Sequence, residues 1–284
     1  MPTRNVLLGL TVAGVVLLSA PAARADEAEV HYRLALSHKR ENRWEDSLHE
    51  LLATVQLRPT HAAAHCTMGA VYRHQGQFGD AVRAFSRCAE LQPQHAPAYA
   101  GLGAAYARMR DWEHAREALQ RAAELDPRDA ESRSNLGVVH GSMRHYDLAQ
   151  AAYQAALALE PQNHTTMSNL AVAYRKQRMW PEAERIIKQA LAICPNNATY
   201  HFNLGVIYRS WSKPDQAIPE YREALRLRPD MPEALYDLGL MLQQSGQNEE
   251  ALRSLREYLR LHEARDPASA RAVREAIQAI EAGH

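Results

Sequence analysis

Fourteen histidines in a chain of 284 residues make metal binding and general acid–base catalysis the first chemistries to weigh. His61 and His65 lie four residues apart, a spacing that sets two imidazoles on one helical face. Neither a HExxH motif nor a paired cysteine–histidine spacing accompanies them. His31, His65 and His201 recur in one register, and His38 and His140 in another, which is how core positions repeat rather than how ligands converge. They read as histidines standing where aromatic side chains usually stand. No GxSxG turn, glycine-rich phosphate loop or DxD-like acidic cluster is present. The sequence supplies no catalytic residues and no metal ligands, and it calls for no cofactor. An enzyme is not expected.

Binding is the better-supported chemistry. Asn135, Asn169 and Asn203, followed by Asp237, stand at one register. Asparagine is a mediocre helix former that carries both donors and acceptors, so such a row can hold the backbone of an extended peptide without reading its side chains. A basic edge runs beside it: Lys39, Arg40, Arg73, Arg108, Arg175, Lys176 and Arg209. Cations at a helix C-terminus also stabilise the helix dipole by about 0.3–1 kcal/mol each, which alone accounts for their placement. As a recognition surface they favour an acidic segment or a terminal carboxylate. The expected contacts with a partner are Asn135, Asn169 and Asn203, with Arg175 and Arg209 alongside.

The elements that position these residues follow from a beat of prolines. Pro59, Pro93, Pro127, Pro161, Pro195 and Pro229 are evenly spaced, dividing the chain into blocks 28–61, 62–95, 96–129, 130–163, 164–197, 198–231 and 232–265. A period of this length marks stacked helical units that share one core. Numbered so that each proline is position 32, position 7 is Leu or Met, position 8 Gly or Ala, and position 20 Ala or, in Ser47, serine. Position 24 is large and apolar, position 27 mostly small, and position 30 aliphatic. Two amphipathic helices per block are expected, at about positions 2–14 and 17–30. Positions 4, 7, 8 and 11 of the first helix then face the core, and 2, 5, 6, 9, 12 and 13 face a partner.

The run Tyr99, Leu102, Gly103, Tyr106, Ala115, Leu119 and Pro127 resembles the tetratricopeptide repeat, and the resemblance extends from Ala28 to Arg265. It implies an all-α fold, a right-handed superhelical solenoid of seven helical hairpins with a concave groove lined by the first helices. The asparagine row is similar to that of the O-GlcNAc transferases' repeat domain, although asparagine is common at this position throughout the family. The carboxylate clamp of co-chaperones needs Lys at position 5 and Asn at position 9, and this chain has neither. Departures fall at the ends: His31, Ala35 and His38 in the first block and Glu263 in place of the last proline. Asp266-Pro267 opens a final helix whose Val273, Ala276, Ile277 and Ile280 form one stripe, predicting a capping helix over 266–284.

Residues 1–25 stand outside the array. Arg4, the apolar run Val6–Ala20 and Ala23-Arg24-Ala25 have the layout of a secretory signal peptide, with Asp26 as the first mature residue. The run of about 15 residues is short beside the roughly 20 of a membrane span. An uncleaved N-terminal anchor is the alternative. Formal charge is zero, and removing Arg4 and Arg24 leaves 31 basic against 33 acidic residues, near −2. That balance gives no footprint for nucleic acid or an anionic membrane.

Cys66, Cys88 and Cys194 are too few for a disulfide framework. Cys88 at position 27 reads as a buried thiol, with a bridge to Cys66 as the alternative, and Cys194 as a lone, partly exposed thiol. The aromatic residues at position 17, such as Trp44 and Trp112, read as packing at the hairpin turn. Trp211 falls off the pattern and is expected to be exposed, and Pro219 inside a second helix predicts a local irregularity. The whole describes an exported, non-enzymatic scaffold, periplasmic or secreted, that binds a protein or peptide partner. In a Gram-negative cell, as with similar proteins, its place is envelope, pilus or secretion-complex assembly. The alternative is a membrane-tethered or self-assembling array that uses its convex face and ends.

Overall fold

A computed structural model describes residues 21–264 and 266–283. The described residues are helical throughout, in fifteen α-helices with no strand. Of the segment 1–25 read as a signal peptide, residues 1–20 lie outside the described residues. Pro21 to Ala25 belong to the first helix. Among the described residues no helix is long and apolar enough to cross a membrane.

The chain divides into two compact units, 1–93 and 94–284. The first contains α1 (Pro21–Arg40), α2 (Trp44–Leu57), α3 (Ala62–His74) and α4 (Phe78–Leu91). Here α1 packs on α2, α3 on α4, and α2 on α3. Leu51, Ala64, Met68, Val71 and Ala84 form its core around Ala35. Ser47 stands where later blocks carry alanine, and its hydroxyl donates to the carbonyl of Ala35 at 2.9 Å, satisfying a buried polar group locally. Leu34 is 43% exposed although position 7 is a core position in later blocks; among the described residues no hairpin precedes α1 to cover it.

The second unit holds α5 (Ala96–Arg108), α6 (Trp112–Leu125), α7 (Ala130–Ser142), α8 (Tyr146–Leu159), α9 (His164–Lys176), α10 (Trp180–Ile193), α11 (Ala198–Ser210), α12 (Pro214–Leu227), α13 (Pro232–Gln244), α14 (Asn248–His262) and α15 (Pro267–Glu281). Helices pair in order from α5 with α6 to α13 with α14, and each second helix also packs on the next first helix. First helices touch one another along the series α5, α7, α9, α11, α13. The capping helix α15 packs on α14 and buries Val273, Ile277 and Ile280 of the predicted stripe, with Ala276 half-buried and Ala270 buried besides. Asp266 caps it, accepting from Ser269 N–H at 3.1 Å. Without a proline at 263, α14 runs on to His262.

Positions 20, 24 and 27 are buried in all seven blocks, from Ser47, Leu51 and Thr54 to Ala251, Leu255 and Tyr258. From α3 onward the first helices occupy positions 1–13, one residue earlier than the pattern predicts, while α1 starts before its block at Pro21. Their buried face is also wider. Positions 3 and 10, for example Ser132 and Val139, or Thr166 and Ala173, are buried as well as 7, 8 and 11. A first helix lies against its own partner and against the neighbouring hairpin, so one stripe cannot serve both.

Three sequence expectations are corrected. Pro219 does not break α12, which spans the same fourteen positions as its counterparts; the amide it lacks would serve a carbonyl near the first turn, where Asp215 and Pro219 are both exposed to water. Trp211 is half-buried against the core, with the Lys213 ammonium 3.2 Å from its ring centroid. Cys88 is not a free thiol but is bonded to Cys66 across the α3–α4 hairpin, while Cys194 is free and partly exposed as expected.

Every hairpin turn carries a residue in the left-handed region at position 15: Asn42, Gly76, Arg110, Arg144, Arg178, Ser212 and Gly246, with φ from 58° to 77°. The Cβ of an arginine is unfavourable there, whereas glycine is not. Arg110→Gly, Arg144→Gly and Arg178→Gly should each stabilise the protein by about 0.5 kcal/mol, the relief exceeding the extra freedom of the unfolded glycine. Urea denaturation of the three single variants reads this directly, and a lowered midpoint would count against it.

Candidate functional site

The residues singled out for binding all lie in the second unit, on α7, α9 and α11. Asn135, Asn169 and Asn203 are half-buried at the same register of consecutive first helices. Asn203 Nδ2 donates to Ser168 Oγ of the preceding hairpin at 3.0 Å. Asn135 and Asn169 have no side-chain hydrogen-bond partner among the described residues. Two members of the row therefore keep both amide groups available, and the third keeps its carbonyl oxygen. A cavity of about 550 Å³ opens beside Asn169, walled by Val138, Val172, Tyr146, Tyr153 and Lys176. That volume accommodates a large side chain.

At the last member of the row the structure adds a feature that spacing does not show. Asp237 is only 6% exposed, and its carboxylate accepts from Arg209 Nη1 at 2.9 Å and from Tyr221 OH at 3.2 Å. Burial raises the Asp237 carboxyl above the usual carboxylate range, outweighing the lowering by Arg209 and by the Tyr221 hydroxyl. Burial, reinforced by the Asp237 charge, likewise pushes the Tyr221 phenol up. Arg209 is thus committed to a buried acid, although the sequence offers it as a free contact. Arg175 is not so committed. Its guanidinium is half-buried with no hydrogen-bond or ion-pair partner among the described residues. Burial first, and then the positive charge of Arg209, lower its pKa from the ordinary arginine value. Two arginines thus stand near one carboxylate that only Arg209 engages, leaving Arg175 as the cation in surplus.

The histidines take structural roles. His61 Nδ1 caps α3 by accepting from Ala64 N–H at 3.2 Å, and His65 Nε2 lies 3.0 Å from the Pro59 carbonyl oxygen. His31 and His201 each meet a glutamate of the paired helix, Glu50 at 2.5 Å and Glu220 at 2.7 Å. His140 is buried, and that burial, with His145 nearby, holds its ring below the ordinary histidine pKa.

A family model described as the cilia and flagella-associated protein 70 C-terminal domain, built of tetratricopeptide repeats, matches residues 9–234, and a tetratricopeptide repeat model matches residues 202–270. The chain belongs to the tetratricopeptide-repeat family. Solved structures of TPR proteins share its fold. One from Parabacteroides merdae superposes with a TM-score of 0.68 at 12% identity, covering 90% of this chain and 99% of its own. PilW, a widely conserved type IV pilus biogenesis factor, gives 0.65 at 15%, covering 76% and 98%. YrrB, described as a TPR protein with an unusual peptide-binding site, gives 0.56 at 19%, covering 65% and 95%. No curated protein matches the chain. TPR proteins of this kind are scaffolds for protein or peptide partners, and the repeat is typically non-catalytic.

Proposed function

We propose that this TPR protein is a scaffold of the cell envelope, exported by its N-terminal segment, that holds an extended acidic segment of a partner protein along Asn135, Asn169 and Asn203. The observation that carries this reading is Arg175. A half-buried guanidinium without a partner has lost part of its hydration and gained no hydrogen bond in return, and an incoming carboxylate supplies the missing charge. Arg209, held by Asp237, shapes the site and adds positive field. The asparagine amides beside it suit a peptide backbone, and the cavity at Asn169 suits one of its side chains. The Cys66–Cys88 bridge accords with an oxidising compartment. The likeness to a pilus biogenesis factor favours an envelope role, and the likeness to YrrB favours peptide binding.

A photo-crosslinker at Asn169 in the native host identifies the partner, and a synthetic peptide of the captured segment then gives an affinity. Arg175→Ala should weaken that peptide about tenfold, with Arg175→Lys retaining part of the loss, because a lone ammonium replaces charge but not the planar fork. Changing Asn135, Asn169 and Asn203 together to alanine should weaken it regardless of peptide charge. Unaltered affinity in both variants would refute the groove reading. The runner-up, assembly through the ends of the array, draws on Val30 and Leu34, four apart on α1 and exposed by 65% and 43%. Val30→Ser/Leu34→Ser would then dissociate higher-order species on a sizing column.

A further inference from the structure

The last hairpin and the capping helix enclose a second recess, of about 660 Å³, between α13, α14 and α15. Among the described residues its charged lining is Asp230, Glu233 and Asp266. Two tyrosines form an aromatic corner: Tyr236 at position 5 of the first helix and Tyr258 at position 27 of the second, ring centroids 6.4 Å apart and inclined at 56°. His262 completes the wall. It is 5% exposed, its ring lies 5.4 Å from that of Tyr258, and its Nε2 stands 3.0 Å from Asp230 Oδ1 without the geometry of a hydrogen bond. The wall therefore carries a buried imidazole nitrogen facing a carboxylate, with no hydrogen bond closed between them among the described residues.

We propose that this recess is a binding site for an organic cation, an ammonium or guanidinium group carried by a small molecule or by a basic side chain. Tilted aromatic faces attract a cation through their quadrupoles, and carboxylates at the mouth draw it in. The helix N-terminus beside the recess would by itself favour an anion, but Asp266 already occupies it. The hydrogen bonds from Ser269 hold the Asp266 carboxyl below its usual range, so it is charged at neutral pH. An inorganic cation fits less well. Among the described residues, no three of Asp230, Glu233, His262 and Asp266 converge closely enough to share a metal ion, whereas an organic cation needs only an aromatic wall and a nearby negative charge. The volume suits a ligand of lysine side-chain size or somewhat larger.

Protein-observed methyl NMR on the full chain tests this with tetramethylammonium, methylguanidinium, Nα-acetyl-lysine amide, sodium acetate and magnesium chloride. The Ala272 methyl resonance reports occupancy of the recess. The organic cations should shift it saturably in the millimolar range or tighter, and acetate should not. Rim variants Glu233→Gln and Tyr236→Leu, each verified to keep the wild-type circular dichroism and melting point, should weaken binding about fivefold. A preference for the lysine derivative over tetramethylammonium points to a basic side chain as the source, and the reverse to a small quaternary ligand; either supports the site. No saturable shift, equal binding by the two rim variants, or displacement of the organic cations by stoichiometric magnesium would overturn it.

Discussion

Breaking the Cys66–Cys88 bridge is expected to destabilise the N-terminal unit by about 3 kcal/mol. The two residues are 22 apart in sequence with Cα atoms 5.2 Å apart, and the bond ties the start of α3 to the end of α4 within one hairpin. Closing a loop of that size removes conformations from the unfolded chain, and Cys88 has no solvent exposure to regain when reduced. The loss falls where the core is small, since this unit rests on the few buried side chains around Leu51, Met68 and Val71. Trp44 is the unit's own tryptophan, stacked on His74 with ring centroids 3.8 Å apart, so its emission follows this unit alone. Urea titration of a variant retaining Trp44 but with Trp112, Trp180 and Trp211 changed to phenylalanine should show an earlier transition under reductant. Cys66→Ser/Cys88→Ser should show the same shift without reductant, and Cys194→Ser should show none. An unmoved midpoint in the double variant would mean the two thiols contribute nothing as a bridge.

The same pair shows what the sequence made legible and what it did not. The proline beat fixes where α2 to α14 begin and end to within a residue, because each block has the same length and the same small-to-large alternation, whereas α1 starts ahead of its block at Pro21. It also gives the three buried positions of the second helix. The first helix is harder. Its position 5 reads as facing a partner, yet it meets position 27 across the hairpin in Cys66–Cys88 and again in Tyr236–Tyr258. Positions 3 and 10 are covered by the preceding hairpin, a contact between blocks that a single helical wheel does not contain: Thr166 meets Ser134 and Tyr200 meets His164, while Val30 in the first block is exposed. The left-handed residue at position 15 is hidden too, because Arg110, Arg144 and Arg178 carry none of glycine's usual signal for it.

The candidate site divides in the same way. Register alone places Asn135, Asn169 and Asn203 on successive first helices, and the basic edge picks out Arg175 and Arg209. Whether each arginine is available depends on side chains one repeat away. Arg209 reaches Asp237 across 28 residues of sequence, and Tyr221 reaches it from the intervening second helix. No local pattern distinguishes the committed guanidinium from the open one. Asp237 is in the row by position but departs from it in charge, and that single change from asparagine captures Arg209 and leaves Arg175 as the cation in surplus.

Gly137→Ala is expected to cost about 2 kcal/mol even though alanine is the better helix former by about 1 kcal/mol. A methyl group at Gly137 would stand 2.5 Å from Tyr153 Cε1 and 2.6 Å from Cδ1. The ring cannot simply withdraw, since Tyr153 is itself buried between the two helices. The same contact recurs between positions 8 and 24 at Gly69 with Phe85 and at Gly205 with Tyr221, and with a leucine at Gly103–Leu119 and Gly239–Leu255, so the glycine is the space the side chain at position 24 occupies. A ring at 24 always faces glycine, whereas an aliphatic residue there also packs against alanine. The chain contains its own controls: Ala35 lies in the block whose position 24 is Leu51, and Ala171 in the block whose position 24 is Ile187, and all four are buried. Gly137→Ala combined with Tyr153→Leu should therefore recover much of what Gly137→Ala loses. A double-mutant cycle by urea denaturation should give a coupling of about 1–2 kcal/mol, with Tyr153→Leu alone destabilising by the cavity it leaves. Additive losses would show that the glycine answers to backbone geometry and not to the ring beside it. The pairing of a large residue at position 24 with its absence at position 8 would then be coincidence rather than packing.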